Sequence, residues 1–207
     1  MPRGGGHPRL PFDPVAEARR QWENHGWSEL ALPMAVVTSV MRVQQIFLAS
    51  ADRVLRPLGL TFARYEVLML LSFARTGTLP LGTIGERLQV KAASVTNAVD
   101  RLQADGLVER RPHPSDGRGV LAAITPQGRS LAERATEAMN RQVFDRLPMS
   151  TEEQRSLFHE LRTLRAAAGD FPLSAADGRG DETTGHLGAG TAFGSGPGPG
   201  PEAAPPA

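Results

Sequence analysis

Five polar side chains lie at helical spacing along residues 91–101, and they are of the types that contact nucleic acids. They are Lys91, Ser94, Thr96, Asn97 and Arg101. Short hydroxyl and amide groups near the start of a helix can approach phosphates and base edges closely, and an amide can pair with adenine. A helix carrying such a face suits the major groove of double-stranded DNA. The sequence therefore predicts a recognition helix here.

A basic hairpin follows this helix. Residues 107–111 and 120–124 are β-capable, and residues 112–119 between them are rich in turn formers. We expect Arg110 and Arg111 to contact phosphates, with a solvated edge of a basic hairpin as the alternative. His113, between two prolines, is interpreted as a solvated turn residue.

The tip of this hairpin presents a further arginine. Arg118 stands between two glycines, which let the backbone come close to a ligand, and Asp116 can hold its guanidinium in place. The negative potential of a narrow minor groove attracts an arginine presented in this way. We therefore predict that Arg118 contacts the minor groove.

The elements that must position these side chains are predicted from apolar spacing. Ile84 and Leu88 indicate one short helix, and Val95, Val99 and Leu102 indicate a second, with a turn over about 89–92 between them. A one-rung strand at residues 79–81 is expected to pair with the hairpin at an edge that tolerates proline. The order is that of a winged helix-turn-helix over about residues 61–125, in a fold that is mainly α with a small β-wing.

Long helices are predicted on both sides of this lobe. Residues 34–56 carry an apolar stripe broader than a single lobe needs, and residues 126–168 hold two further helices, the second beginning at a Ser150/Glu153 capping box. We interpret the outer helices as dimerisation helices that interlock with a second copy. A two-fold dimer places two recognition helices about one DNA turn apart, which predicts a roughly palindromic operator.

The ends of the chain differ in composition from its middle. Residues 1–12 and 169–207 are rich in Gly and Pro and are expected to be disordered, the second as a Gly/Pro/Ala tail. A leading helix and linker are predicted over residues 13–33, where Trp22 and Trp27 are the only tryptophans. These rings either pack against the dimer core, or Trp22 lines a ligand pocket.

Composition excludes several classes of function. The 207 residues include no Cys, which excludes disulfides, thiolate metal sites and cysteine-based peroxide sensing. No Ser-His-Asp grouping, glycine-rich phosphate loop or metal-ligand spacing is present, so neither an enzyme nor a cofactor is expected. The net charge is only +1. We expect a cytoplasmic protein, with no secretory signal and no apolar run long enough to span a membrane.

Several motifs of this chain resemble the MarR family of bacterial transcriptional regulators. They are Asp100-Arg101-Leu102, Gly106-Leu107-Val108, Arg110-Arg111, Asp116-x-Arg118 and the run from Leu121 to Gly128. The resemblance covers about residues 34–168 and implies a homodimeric, DNA-binding, ligand-responsive regulator. One departure is Lys91-Ala92, where the family often has Ser-Pro at the start of the recognition helix.

The resemblance also implies a ligand site. Family members commonly bind small aromatic or phenolic acids between the dimer helices and the DNA-binding lobe. The leading helix is similar to that of a urate-responsive branch of the family. The ligand site of that branch has four key positions, and the resemblance implies that Trp22, Glu66 and Arg110 fill three of them, with Glu66 in place of an Asp. The fourth position is Ala98 instead of an Arg, so a different anionic or aromatic metabolite is expected.

The sequence thus predicts a homodimeric repressor that binds a promoter operator and is released by a small ligand. The alternative is a module that keeps the winged fold but binds a ligand or another protein instead of DNA, because fold alone does not assign function.

Overall fold

The structure is a computed structural model that describes residues 10–113 and 119–172. The chain divides into two compact units, the first ending at Phe62 and the second beginning at Ala63. Seven α-helices and three short strands are present in the described residues. This confirms the predicted class, mainly α with a small β-wing.

The first unit contains a short helix and a long one. Helix α1 spans Pro14–Asn24, and the Asp13 side chain caps it by accepting a hydrogen bond of 2.9 Å from the Val15 N–H. Helix α2 spans Ser28–Leu55 and packs along α1. The predicted start at residue 34 was therefore wrong, and the linker shrinks to residues 25–27.

The reason for this difference is a proline that lies inside a helix. Pro33 is the sixth residue of α2 and has no N–H to donate to the carbonyl of Glu29. In sequence such a proline indicates a helix start, because prolines are favoured in the first turn. Here Ala31 is completely buried in the turn that precedes Pro33. Packing of this first turn outweighs the lost hydrogen bond.

Helix α2 exposes an unusual amount of apolar surface. Its large exposed apolar side chains are between 40% and 59% accessible, and they are Leu30, Leu32, Val36, Val37, Val40, Met41, Val43, Ile46, Phe47 and Leu48. By length and composition alone, residues 28–58 could also cross a membrane, with a mean hydropathy of 1.4 over the most apolar window. The expectation that no run of the chain reaches this length and hydropathy was wrong.

The second unit holds the helix-turn-helix and the wing. Helix α3 (Phe62–Phe73) crosses the unit boundary and is followed by β1 (Thr78–Pro80), α4 (Leu81–Leu88) and α5 (Ala92–Ala104). Strands β2 (Val108–Pro112) and β3 (Val120–Ile124) form the wing hairpin, and β1 pairs antiparallel with β3. The sheet order β1-β3-β2 puts Pro80 in an edge strand, as predicted.

Two more helices follow the wing. Helix α6 spans Pro126–Gln142, and the Thr125 hydroxyl caps it by accepting a hydrogen bond of 3.0 Å from the Gly128 N–H. A 3₁₀ turn at Phe144–Arg146 follows α6. Helix α7 (Thr151–Ala167) begins with the predicted capping box between Ser150 and Glu153.

The core of the second unit is built from apolar side chains of α3, α4, α5 and the wing. Its large fully buried members are Val67, Leu68, Leu71, Ile84, Val95, Val99, Leu102 and Val108, together with Met139 of α6. Phe73, the last residue of α3, lies outside this core and is 63% exposed.

Candidate nucleic-acid interface

Helix α5 has one buried face and one polar face. Val95, Val99 and Leu102 are buried, which fixes the orientation of the helix in the lobe. The five polar residues predicted for its free face are all exposed, namely Lys91, Ser94, Thr96, Asn97 and Arg101. The structure thus brings these residues together on one accessible surface.

The turn between α4 and α5 is tight and depends on two backbone features. Gln89 ends α4 in the left-handed conformation, with φ of 53°. The Val90 N–H then donates to the Gly85 carbonyl at 3.1 Å. A Cβ at Gly85 would lie 3.3 Å from the Val90 carbonyl oxygen, so this glycine lets the turn fold closely over α4.

The N-terminus of α5 faces an open cleft. Lys91 occupies the N-cap position, and its side chain makes no capping hydrogen bond. Backbone N–H groups in the first turn of a helix favour anions, and without a capping side chain they are accessible to a phosphate. The cleft has a volume of about 570 Å³, and its lining includes Gly82, Lys91 and Thr96.

Two ion pairs hold α5 against its neighbours. Asp100 lies 2.7 Å from Arg110 Nη2 of β2, and Asp105, the C-cap residue of α5, lies 3.3 Å from Arg64 Nη1 of α3. Neither pair was predicted, because each joins residues on elements whose contact only the folded chain defines. Together they fix the recognition helix to the wing and to α3.

Arg110 and Arg111 point to opposite faces of β2. Successive side chains of a strand alternate between faces, so Arg110 shares the inner face with buried Val108. The Nε and Nη2 atoms of Arg110 are buried without hydrogen-bond geometry, although Nη2 is close to Asp100. Arg111 shares the outer face with Glu109, and Arg111 Nη2 lies 2.9 Å from Glu109 Oε2. The predicted pair of phosphate contacts is thus divided between two environments.

Two residues predicted for the tip of the wing, Asp116 and Arg118, lie outside the described residues, in the gap 114–118. Just before the gap, the His113 N–H donates to the Gly119 carbonyl at 3.0 Å, which continues the hairpin.

The three residues predicted to bind a ligand lie in different surroundings. Trp22 of α1 is half-buried, and its ring meets the Trp27 ring edge-on with centroids 5.3 Å apart. Glu66 of α3 is half-buried, and burial raises the pKa of its carboxyl. Arg110 is paired with Asp100, so a ligand anion would have to share this guanidinium with the recognition helix. No cluster of three His, Asp or Glu side chains that could hold a metal occurs in residues 10–113 and 119–172.

Sequence reasoning missed the acidic partners in this interface. Glu109 could have been found, since residues two apart in a strand share a face and Arg111 follows at that spacing. The pairing of Asp100 with Arg110 carries no such signal, because it depends on how α5 packs against β2.

Comparisons with known proteins agree with this geometry. Residues 58–119 match the family model described as MarR family. The chain is 51% identical to Sco5413, a MarR family transcriptional regulator of Streptomyces coelicolor, with a TM-score of 0.62, covering 67% of this chain and 96% of that one. It is 28% identical to Sco3205 of the same organism, solved in complex with DNA, with a TM-score of 0.57 and coverage of 64% and 85%.

Another relative is also named as a transcriptional regulator. The HTH-type transcriptional repressor IacR of Pseudomonas putida is 31% identical over 59% of this chain and 77% of its own length. The exposed polar face of α5 and the hairpin of β2 and β3 therefore occur in a chain that is similar to transcriptional regulators in both fold and sequence. The chain belongs to the MarR family of DNA-binding transcriptional regulators.

Proposed function

We propose that this regulator is a homodimeric repressor that binds a pseudo-palindromic operator and is released by a small anionic or aromatic ligand. The observation that carries the proposal is the exposed polar face of α5, opposite its buried Val95, Val99 and Leu102. Catalysis plays no part in this function, since members of this family are transcription regulators. The proposal includes a cytoplasmic location, because a repressor has to reach its operator.

Docking on DNA would use three parts of the second unit. Ser94, Thr96 and Asn97 would face base edges in the major groove. The first turn of α5 and Lys91 would contact a phosphate. Arg101 and Arg111, both exposed, would contact the backbone on either side. Arg118, two residues after Asp116 in the sequence, is the proposed minor-groove contact.

The dimer is supported by the apolar face of α2. Val36, Val40 and Phe47 recur at helical spacing, and all three are exposed. Monomeric soluble proteins rarely expose a continuous apolar surface of this kind. A membrane is the rival occupant, but Arg42 and Gln45 lie in the middle of the helix, where a lipid-spanning segment disfavours polar groups. A second copy of the chain can cover the apolar stripe and leave these polar residues in water.

Release by a ligand is supported by Glu66 and Trp22. A half-buried carboxyl with a raised pKa costs free energy when ionised, and such groups concentrate at binding sites. A half-buried indole offers a flat apolar surface for an aromatic ring. A ligand releases DNA only if it binds the non-binding conformation of the dimer more tightly than the DNA-binding one.

One observation favours the alternative of a winged module that does not bind DNA. Both Arg110 and Arg111 are paired with carboxylates of the same chain, and the net charge is only +1. Such a module would bind a small molecule or another protein through the same face.

A fluorescence-anisotropy titration separates the two. The full chain is titrated against the DNA upstream of its own gene and against a scrambled duplex, each at two salt concentrations. Tight, salt-sensitive binding with a large preference for the upstream DNA is expected. Equally weak binding to both duplexes, followed by a genome-wide selection that recovers no preferred fragment, would support the alternative.

Arg118→Ala tests the proposed wing tip. We expect markedly weaker DNA binding with an unchanged dimer, measured by anisotropy and by sedimentation. Unchanged affinity for the upstream DNA would remove Arg118 from the interface.

A further inference from the structure

The outer face of β2 carries an arginine and its own counterion. Arg111 Nη2 and Nε lie 2.9 and 3.3 Å from the same oxygen of Glu109, Oε2. Both side chains are more than half exposed, at 57% and 58%. The pair is therefore formed in the free protein on the surface that would approach DNA.

Within the described strands of the wing sheet, no charged side chain lies directly across from this pair. The residues directly across from Glu109 and Arg111 in β3 are Ala123 and Leu121, which are uncharged. Strand β2 is an edge of the sheet, so no strand lies on its other side. Because the partners are only two residues apart on one face, their pairing requires no further ordering of the chain.

We infer that Glu109 is an internal counterion that limits the affinity of the wing for the DNA backbone. For Arg111 to contact a phosphate, its ion pair with Glu109 must break, and the freed carboxylate then lies close to the negative backbone. This inference rests on the proposed function. Glu109 weakens binding to every DNA sequence, because it acts on a phosphate contact and not on a base contact.

The pair is weak enough for DNA to displace it. Ion pairs between exposed side chains contribute little in water and are screened by salt. A duplex, by contrast, concentrates charge along its whole length. Glu109 thus reduces the contribution of Arg111 without removing it.

The test is a double-mutant cycle on the full chain. Glu109→Gln, Arg111→Gln and the double variant are titrated against the upstream and the scrambled duplex at two salt concentrations. With Arg111 present, Glu109→Gln should tighten binding to both duplexes by about threefold, the range of a surface ion pair. Binding should also become more sensitive to salt. With Arg111→Gln, the same change should alter affinity by less than about twofold, leaving only the general effect of one lost charge.

The control is Glu137→Gln, which removes an exposed carboxylate paired with Arg141 on α6. It has the same change in net charge and should leave DNA affinity unchanged. Equal effects of Glu109→Gln with and without Arg111, or an effect no larger than that of Glu137→Gln, would overturn the inference. If the wild-type chain bound neither duplex nor any selected fragment, the proposed function itself would fail.

Discussion

The winged-helix lobe and helix α2 differ in how far they bury the same kinds of apolar side chain. In the lobe, Leu68, Ile84 and Val99 are completely buried, whereas Val37 and Met41 of α2 are each 59% exposed. Residue type cannot explain the difference, since both regions are rich in aliphatic residues. What differs is the presence of packing partners within one chain. The lobe therefore has a core of its own, whereas α2 leaves most of its large apolar side chains uncovered.

The largest expected effect comes from charging the apolar stripe of α2. Val40→Asp together with Phe47→Asp should abolish the dimer, since each carboxylate would be buried without a partner in the interface. We expect the dimer dissociation constant to rise at least a thousandfold, about 4 kcal/mol, measured by sedimentation equilibrium. Gln45→Asp, on the polar side of the same helix, is the control. A wild-type chain that sediments as a monomer, or a double variant that still dimerises, would contradict the dimer.

The next effect tests whether the lobe is as tightly packed as its burial indicates. A Cβ at Gly128 would lie 2.1 Å from the Leu107 carbonyl oxygen, a backbone atom that cannot move aside alone. Gly128→Ala should therefore lower the free energy of unfolding by about 3 kcal/mol. Urea denaturation followed by circular dichroism measures the change.

The control for this substitution is another helical glycine. A Cβ at Gly82 of α4 would meet nothing within 4 Å, so Gly82→Ala should keep or slightly raise stability. If both substitutions had the same effect, close packing of α6 against the wing would not be the cause.

A smaller effect separates the two adjacent arginines of β2. Arg110→Ala leaves Asp100 unpaired and exposes the contact between α5 and β2 to solvent. The free energy of unfolding should therefore fall by about 1 kcal/mol. Arg111→Ala should change stability by less than about 0.5 kcal/mol. It should instead weaken DNA binding and reduce the slope of log affinity against log salt by about one.

Denaturation and anisotropy on the same two variants check this division. If Arg111→Ala destabilised the lobe as much as Arg110→Ala, the two arginines would share a structural role. If Arg110→Ala reduced the salt slope as Arg111→Ala does, the Arg110 side chain would also contact phosphate.

These residues show what the sequence could and could not predict. Apolar spacing was sufficient for α4 and α5, and β-capable runs around a turn-rich segment were sufficient for the wing, because each element packs one face onto a common core. The start of α2 was missed, since the packing of Ala31 and its neighbours outweighs the proline signal. The different surroundings of Arg110 and Arg111 followed from strand alternation once β2 was placed. The pairing of Asp100 with Arg110 could not be predicted, because it depends on the packing of α5 against β2.

The smallest expected effect concerns Glu66, a half-buried carboxyl of the lobe. Burial raises the pKa of Glu66, so its neutral form is favoured in the folded state. The stability that this group contributes is fully present below its unfolded pKa and is lost as pH rises through the folded pKa. Glu66→Gln removes this dependence. The variant should therefore gain stability relative to wild type between pH 4 and pH 7, measured by urea denaturation at both values.

Glu137→Gln on exposed α6 is the control and should show no such gain. A Glu66→Gln variant that is less stable than wild type at pH 7 would mean that the ionised carboxylate has a structural partner. A gain would mean that the lobe keeps a carboxylate that opposes its own folding. Such a residue is retained at a cost to folding, which would support the proposed ligand role of Glu66.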